Sequence, residues 1–359
     1  MNIGILSMQH VRNYGSFLQA FALKKILESM GHQCEFIDIE PSPSLPGLER
    51  NFPYLLKMAF KRYFRLNTCR HIGSRLKYTR LYRKRFDHEF LPELGINRHE
   101  FNKFDAVVIG SDEVFNMNQH SSYGFTTQLY GDLANTEKVI SYAGSFGTTT
   151  LTIIEKYGVK DRIIGALKKM SSISVRDTNS FEIIKSLLNV EPNINIDPVL
   201  LFGYDQYQKL PQEQNYIVIY SYPNRINKKE EIEAIKSFAK NKRKKLISIC
   251  FYFPWCDETV IPHPFEVLGY FKKADYVITD TFHGCVMSIK YNKKFAALIR
   301  ESNAQKMTSL LKQFGLDNRA CEDIRCIDKT LNPEINYSDV NSKLEEEQRK
   351  GFSYLKENL

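Results

Sequence analysis

Short apolar runs that end in a polar cluster and then give way to a helical pattern recur along this chain. That alternation constrains its fold more than composition does. The sharpest instance is Ala274-Asp275-Tyr276-Val277-Ile278-Thr279-Asp280-Thr281-Phe282-His283-Gly284-Cys285. The β-branched run Tyr276 to Thr279 reads as a short buried strand, and Val286, Met287 and Ile289 continue as a helix. In an open α/β sheet, a polar cluster between strand and helix lies at the carboxyl edge, where ligands bind. The first N–H groups of that helix favour an anion there. Among Asp280, Thr281, His283 and Gly284, only His283 exchanges a proton near neutral pH.

The chain opens on the same plan. Asn2 to Leu6 is an apolar strand and Ser7 to Gly15 a polar loop. Ser16 is a good N-cap for a helix whose Leu18, Ala22, Leu23, Ile26 and Leu27 share one face. Gly31 stops that helix, and Cys34 to Asp38 is the next strand. This βαβ unit lacks the G-x-G-x-x-G of a dinucleotide site. The turn Asn13 to Ser16, at a helix start, suits a small anion or a sugar hydroxyl.

Phe104 to Ile109 is a strand of the buried parallel type, ending in Gly110-Ser111-Asp112-Glu113. Lys138 to Tyr142 ends in Ala143-Gly144-Ser145-Phe146-Gly147, and Ser172 to Val175 ends in Arg176-Asp177. Asn193 to Ile196 is a last short strand before Asp197-Pro198. The polar, proline-bearing stretch Gly203 to Gln214 marks a domain boundary. A second series follows, with strands Tyr216 to Tyr220, Leu246 to Phe251, Tyr276 to Thr279 and Phe295 to Ile299. These elements predict an α/β protein of two Rossmann-like domains. An N-terminal domain, 1–205, carries a basic helical insertion at about 50–100; a C-terminal domain, 206–335, is followed by a helix, 336–359. The active crevice is expected between the two domains.

Composition enters through charge. The chain of 359 residues carries 50 Lys and Arg against 41 Asp and Glu, a net +9 that invites an anionic partner. The excess is local: Lys57, Lys61, Arg62, Arg65, Arg70, Arg75, Lys77, Arg80, Arg83, Lys84 and Arg85 follow one another with no acid between them. Interleaved with Leu55, Leu56, Met58, Phe60, Tyr63, Phe64, Leu76, Leu81 and Tyr82, they read as one or two basic amphipathic helices suited to an anionic membrane surface. A solvated helix pair packed on the domain is the alternative. Neither an RNP-type aromatic motif nor a helix-turn-helix signature is present, so nucleic acid is not an expected partner.

The seven Cys are odd in number and no two have C-x-x-C spacing, so they read as reduced packing thiols without a metal site. Cys285, beside His283, is the one to examine for chemistry. The start Met1 to Leu6 lacks a basic leader, and no stretch approaches about 20 apolar residues. The expected location is therefore cytoplasmic, with peripheral membrane attachment through the basic segment.

On the sheet edges, the acid pair Asp112 and Glu113, the cation Arg176 and the acid–base group His283 describe a site for a small phosphorylated or carboxylated substrate. An ion pair between Arg176 and Asp177 is the structural alternative.

The opening Asn13-Tyr14-Gly15-Ser16-Phe17-Leu18-Gln19-Ala20-Phe21-Ala22-Leu23 resembles the N-terminal signature of the polysaccharide pyruvyl transferase family. So does Phe104-Asp105-Ala106-Val107-Val108-Ile109-Gly110-Ser111-Asp112-Glu113-Val114-Phe115-Asn116. Ser141 to Gly147, Ile173 to Asp177, Asp197 to Leu201 and Thr279 to Gly284 are further matches, all in family order. The resemblance implies a GT-B-like architecture and transfer of the enolpyruvyl group of phosphoenolpyruvate onto two sugar hydroxyls, forming a pyruvate ketal. The acceptor implied is a saccharide of a cell-surface polysaccharide or its lipid-linked precursor. It further implies that Arg176 and His283 hold the donor.

Some members carry R-L-H where this chain has Thr281-Phe282-His283, and Arg300 or Lys306 is expected to restore the missing charge. Glu113 stands where Gln is common. The expected site thus has His283, Asp112 and Glu113 as catalytic groups. Arg176, Thr281, Asn13, Ser16, Gly284, Ser145, Arg300 and Lys306 are expected to bind substrate, with no cofactor besides the donor. A nucleotide-sugar glycosyltransferase is the runner-up, since the same architecture would serve a sugar diphosphate.

Overall fold

Apolar runs that are buried on both faces pair most readily in parallel, covered by the helices that connect them. A computed structural model describes residues 1–49, 55–56, 58, 71–96, 100–101, 103–134, 136–223 and 225–359, and in it such runs build two sheets. Strands β1 (Asn2–Leu6), β2 (Gln33–Phe36), β3 (Phe104–Asp112), β4 (Thr136–Gly144), β5 (Ser174–Val175) and β6 (Asn193–Ile194) form the first, in the order β2-β1-β3-β4-β5-β6. Strands β7 (Tyr216–Tyr220), β8 (Lys245–Ile249), β9 (Glu258–Val260), β10 (Tyr276–Thr279), β11 (Lys294–Leu298) and β12 (Ala320–Cys321) form the second, in the order β12-β11-β10-β7-β8-β9. Both sheets are parallel throughout. Two doubly wound sheets in succession, closed by the long helix Tyr337–Asn358, are the two-Rossmann-like α/β class expected from the sequence.

Strand order reverses between β1 and β3 in one sheet and between β7 and β10 in the other. At such a point the chain leaves neighbouring carboxyl ends in opposite directions and opens a crevice for a ligand. The two switch points therefore fall on Leu6 and Asp112, and on Tyr220 and Thr279.

Packing divides the chain into two units. The first comprises Met1–Leu55, Leu91–Phe202 and Glu345–Leu359, and the second Leu56–Phe90 and Gly203–Leu344. The boundary after Phe202 lies close to the proline-bearing connection read from sequence. Residues 71–90, which chain order assigns to the first domain, pack with the second unit. Tyr82 meets Phe251 at 5.7 Å between ring centroids, Tyr78 stacks on Tyr252 at 5.2 Å, and Phe90 meets His263 edge-on at 5.0 Å. Lys57, Lys61, Arg62, Arg65 and Arg70 lie outside the described residues.

One boundary moved for a local reason. β3 continues past Ile109 because Gly110 and Asp112 still pair with Tyr142 and Gly144. Gly110 has φ 135°, and a Cβ there would meet the Tyr142 carbonyl oxygen at 2.1 Å, so only glycine keeps the ladder. Strands β9 and β12, of three and two residues, are edge strands too short to show a period, and the sequence reading missed them.

The C-terminal helix docks its last turns on the first unit. Tyr354 and Leu355 are buried there, and the Tyr354 hydroxyl donates to the Ser141 carbonyl at 2.9 Å. Tyr354→Phe is expected to cost about 1 kcal/mol, the net worth of one buried hydrogen bond, read as a lower denaturant midpoint. An unchanged midpoint would mean that the ring alone anchors the helix.

Candidate functional site

At the first switch point the chain assembles a chain of charges. Asn13, with extended backbone, caps the helix Tyr14–Ser29, its Oδ1 accepting from the N–H groups of Gly15 (2.7 Å) and Ser16 (3.4 Å). The cap expected at Ser16 is therefore made by Asn13, and this releases the Ser16 hydroxyl. That hydroxyl donates to Asp112 Oδ2 at 2.7 Å. Asp112 Oδ1 receives Arg176 Nη2 at 3.0 Å, and Arg176 Nη1 donates to Asp197 Oδ2 at 2.9 Å. Asp197 Oδ1 in turn accepts the N–H of Val199 at 3.0 Å. The side chains of Arg176 and Asp197 are 1% and 0% exposed and that of Asp112 is 13%, so Asp112 is the end of this array that solvent reaches. Burial works against the Arg176 charge, but Asp112 and Asp197 outweigh it and raise its pKa above the ordinary value.

The carboxylates paired with Arg176 are thus Asp112 and Asp197 rather than the alternative, Asp177. Asp177 Oδ1 accepts from the N–H and hydroxyl of Ser180, both at 2.8 Å, and its Oδ2 accepts the Ser145 hydroxyl at 2.6 Å. Ser145 is thereby buried and turned toward the helix it helps to hold. Glu113 Oε2 accepts from Asn116 Nδ2 at 2.6 Å. Behind the array, Gln19 donates to the Ser7 hydroxyl at 3.0 Å and accepts the Ser111 N–H at 3.1 Å, locking the first helix to the ends of β1 and β3.

The second switch point is built from β10 and the helix Phe282–Lys290. Thr281 caps that helix, its hydroxyl accepting the Gly284 N–H at 2.9 Å. A Cβ on Gly284 would lie 2.0 Å from Thr279 Oγ1, so this turn needs glycine for close packing. Thr281 and Gly284 thus satisfy each other. The His283 ring, mostly buried, stands edge-on to Phe282 with centroids 5.5 Å apart. Asp280 is fully buried. Its Oδ1 accepts the Tyr222 N–H at 3.2 Å, and its carbonyl accepts from Asn303 at 2.7 Å and Arg225 Nη1 at 3.2 Å. Burial pushes the Asp280 carboxyl up, against the opposing pull of Arg225.

Two cations lie along this edge. The Arg225 guanidinium, 30% exposed, covers the Tyr222 ring at 4.7 Å and stands 3.8 Å from Asp280 Oδ2. Arg300 Nη2 donates to Glu231 at 2.7 Å and reaches the Arg225 carbonyl at 3.5 Å. Lys306 is half-buried in the first turn of the helix Ala304–Gln313. Cys285 is fully buried and burial raises its thiol pKa, so it is a packing residue.

Asn13, Ser16, Asp112 and Arg176 are thus brought together in one unit, and Thr281, His283 and Gly284 in the other. Glu113 and Ser145 turn to other partners. Asp197 and Arg225 were not assigned roles from sequence. Asp197 stood in a quoted motif, but its partner lies 21 positions away. Arg225 follows β7, whose place at a switch point only strand order reveals.

Two doubly wound α/β units, each with polar and charged side chains gathered at its switch point, define a two-unit protein of the kind that carries ligand chemistry on its sheet edges. The family model for polysaccharide pyruvyl transferases matches residues 13–302, and the chain belongs to that family of transferases. The matched span takes in both Asn13 and Arg300, and Lys306 lies beyond it. No curated protein sequence matches the chain. Among solved structures it is similar to an uncharacterised protein, KP1_0663, of Klebsiella pneumoniae, at 12% identity over 89% of this chain and 92% of that one, TM-score 0.47. It is also similar to S. aureus MnaA solved with UDP, at 12% identity over 95% and 90%, TM-score 0.49. A third is the spinosyn rhamnosyltransferase SpnG complexed with thymidine diphosphate, at 11% identity over 99% of each chain, TM-score 0.47.

Arg176→Lys keeps the charge but leaves a single ammonium between two carboxylates that a guanidinium bridges with separate nitrogens. Breaking one arm of a buried pair is expected to cost about 3 kcal/mol, measured by denaturant unfolding. A loss below about 1 kcal/mol would show that the array tolerates a point charge.

Asp280 gives a pH signature. Its folded pKa lies above its unfolded one, so between the two the folded chain holds more protons and stability falls as pH rises. Denaturation midpoints should therefore decline from about pH 4 upward more steeply in the wild type than in Asp280→Asn. Parallel profiles would exclude Asp280 as the source.

Proposed function

We propose that this chain moves the enolpyruvyl group of phosphoenolpyruvate onto two hydroxyls of a saccharide, forming a pyruvate ketal and releasing phosphate. The acceptor is part of a cell-surface polysaccharide or its lipid-linked precursor. The observation that carries this reading is the family match over residues 13–302, which takes in both switch-point clusters. The balance of the reaction suits those clusters. Two hydroxyl protons leave the acceptor, one ends on the donor methylene, which becomes a methyl, and one leaves with phosphate. An acid that protonates the methylene can be restored by a hydroxyl proton, so one proton-exchanging group suffices, and His283 is given that role. Asp112, anionic and reachable by solvent, accepts a hydroxyl proton or holds the hydroxyl in place.

The resemblance gave Arg176 to the donor. Its guanidinium is filled by two carboxylates and its side chain is 1% exposed, which supports a positioning role for it on Asp112. The cations for the donor's carboxylate and phosphate are then Arg225 and Arg300, on the edge that also carries His283, with Lys306 beyond them.

The test is phosphate release from phosphoenolpyruvate across lipid-linked and nucleotide-linked saccharides, with the ketal identified in the product. Release of a nucleotide from a sugar nucleotide instead would replace this reading with glycosyl transfer. His283→Ala is expected to lower turnover by about 100-fold or more, the scale of removing a general acid. His283→Gln should lose as much if the imidazole transfers a proton and retain substantial activity if it only binds phosphate. Full activity of both variants in a ketal-forming assay would remove His283 from the mechanism.

A further inference from the structure

We infer that the outward face of the helix Ile72–Arg85 docks on an anionic lipid bilayer. This goes beyond the proposed reaction, and the adsorption does not depend on its chemistry. Among the described residues the helix packs by one aromatic seam. Tyr78 and Tyr82 lie against Tyr252 and Phe251, and Arg85 donates to the Ile261 carbonyl, all within the second unit. Tyr78, Tyr82 and Arg85 follow at helical spacing, so they share one side of the helix.

The opposite side carries Lys77, Arg80, Arg83 and Lys84, all exposed. At 100° per residue these four fall within about 120° of arc, and Leu76 and Leu81 lie close to its two margins. Those leucines are 47% and 43% exposed.

Three features set this face apart from an ordinary solvated helix. The first is its charge. The helix holds six cations (Arg75, Lys77, Arg80, Arg83, Lys84 and Arg85) and no acid. The second is that its cations are unmatched. Lys103, Lys169, Lys185 and Lys350 elsewhere on the surface all have carboxylate partners. Among the described residues, none of Lys77, Arg80, Arg83 and Lys84 has one. A row of like charges 5–6 Å apart without counter-charge is unfavourable alone and is relieved by an anionic surface.

The third is apolar. Of the eleven exposed large apolar side chains among the described residues, two, Leu76 and Leu81, lie beside this face. Cations flanked by leucines match a bilayer, whose headgroups are anionic and whose acyl boundary is apolar. A nucleic-acid backbone would gain nothing from the leucines, and this decides between the two polyanions.

The experiment is sedimentation of the full chain with phosphatidylcholine vesicles, with and without about a third of phosphatidylglycerol, at low and physiological salt. Because the vesicles carry neither sugar nor phosphoenolpyruvate, the result is independent of whether the ketal reaction is correct. The wild type is expected to pellet with the anionic vesicles only, and less as salt rises. Each cation removed should weaken partitioning about fivefold, so a K77Q/R80Q/R83Q/K84Q variant should lose several hundredfold. L76S/L81S should lose about tenfold while keeping its salt dependence. Unchanged circular dichroism and denaturant midpoint establish that these surface variants fold. Equal pelleting on neutral vesicles, or wild-type partitioning of the four-cation variant, would overturn the proposal. So would leucine-independent adsorption matched by equal affinity for duplex DNA, which would assign the face to nucleic acid.

Discussion

Arg176 is buried between two carboxylates, and much of the first unit's functional edge follows from that. A buried guanidinium is tolerated only where the attraction of its partners and their remaining hydrogen bonds offset its desolvation. Here both conditions are met. Asp112 and Asp197 take its two terminal nitrogens, the Ser16 hydroxyl satisfies the far oxygen of Asp112, and the Val199 N–H satisfies that of Asp197. The array therefore ties the end of β3, the end of β5, the turn before residue 198 and the first helix of the chain into one set of mutual constraints. The carboxylate of Asp112 at its open end is held by Ser16 and Arg176, from two neighbouring elements, before any substrate arrives, the kind of preorganisation that catalysis by fixed charge requires.

The second unit solves a similar problem differently. Its strand-end carboxylate, Asp280, is buried completely and serves the backbone, accepting from Tyr222 while its own carbonyl holds Asn303 and Arg225. What this edge presents outward is cationic, since Arg225 and Arg300 are both partly exposed. One doubly wound sheet thus offers an anion at its switch point, and the other offers guanidinium groups beside an imidazole.

Much of this was legible in the chain because parallel strands buried on both faces leave unmistakable apolar runs. β1, β7 and β10 fall where the sequence put them, and the polar clusters at their ends are the ones that line the switch points. What was not legible depends on contacts between residues far apart in sequence. Whether Ser16 caps a helix or binds Asp112 depends on Asn13 reaching the cap first, and the two choices look alike in sequence. Arg176 has an acid at the next position, and an ion pair with Asp177 is the structural alternative that the sequence offers. Asp177 is committed to Ser145 and Ser180, and the partners that Arg176 does find are 64 and 21 residues away. The basic segment illustrates the same limit, since its aromatic seam and its cationic face can be told apart only once Phe251 and Tyr252 are known to lie beneath it.

Charge also divides the labour in the function proposed above. Phosphoenolpyruvate is a multiply charged anion, whereas a sugar hydroxyl is neutral and needs a group to take its proton. Two carboxylates around one guanidinium leave the first unit's array with an excess of one negative charge. An anionic donor is repelled there, while a hydroxyl is held well by a fixed carboxylate. At the second switch point the carboxylate is buried and the guanidinium groups are partly exposed, so in this reading the donor's charge is met by Arg225 and Arg300. The loss of an arginine two positions before His283 is then less damaging than it looks from sequence, because a cation from a different loop stands on the carbonyl of Asp280, three positions before that histidine. In this reading the acceptor and donor preferences of the two edges follow from which member of each ion pair the fold buries.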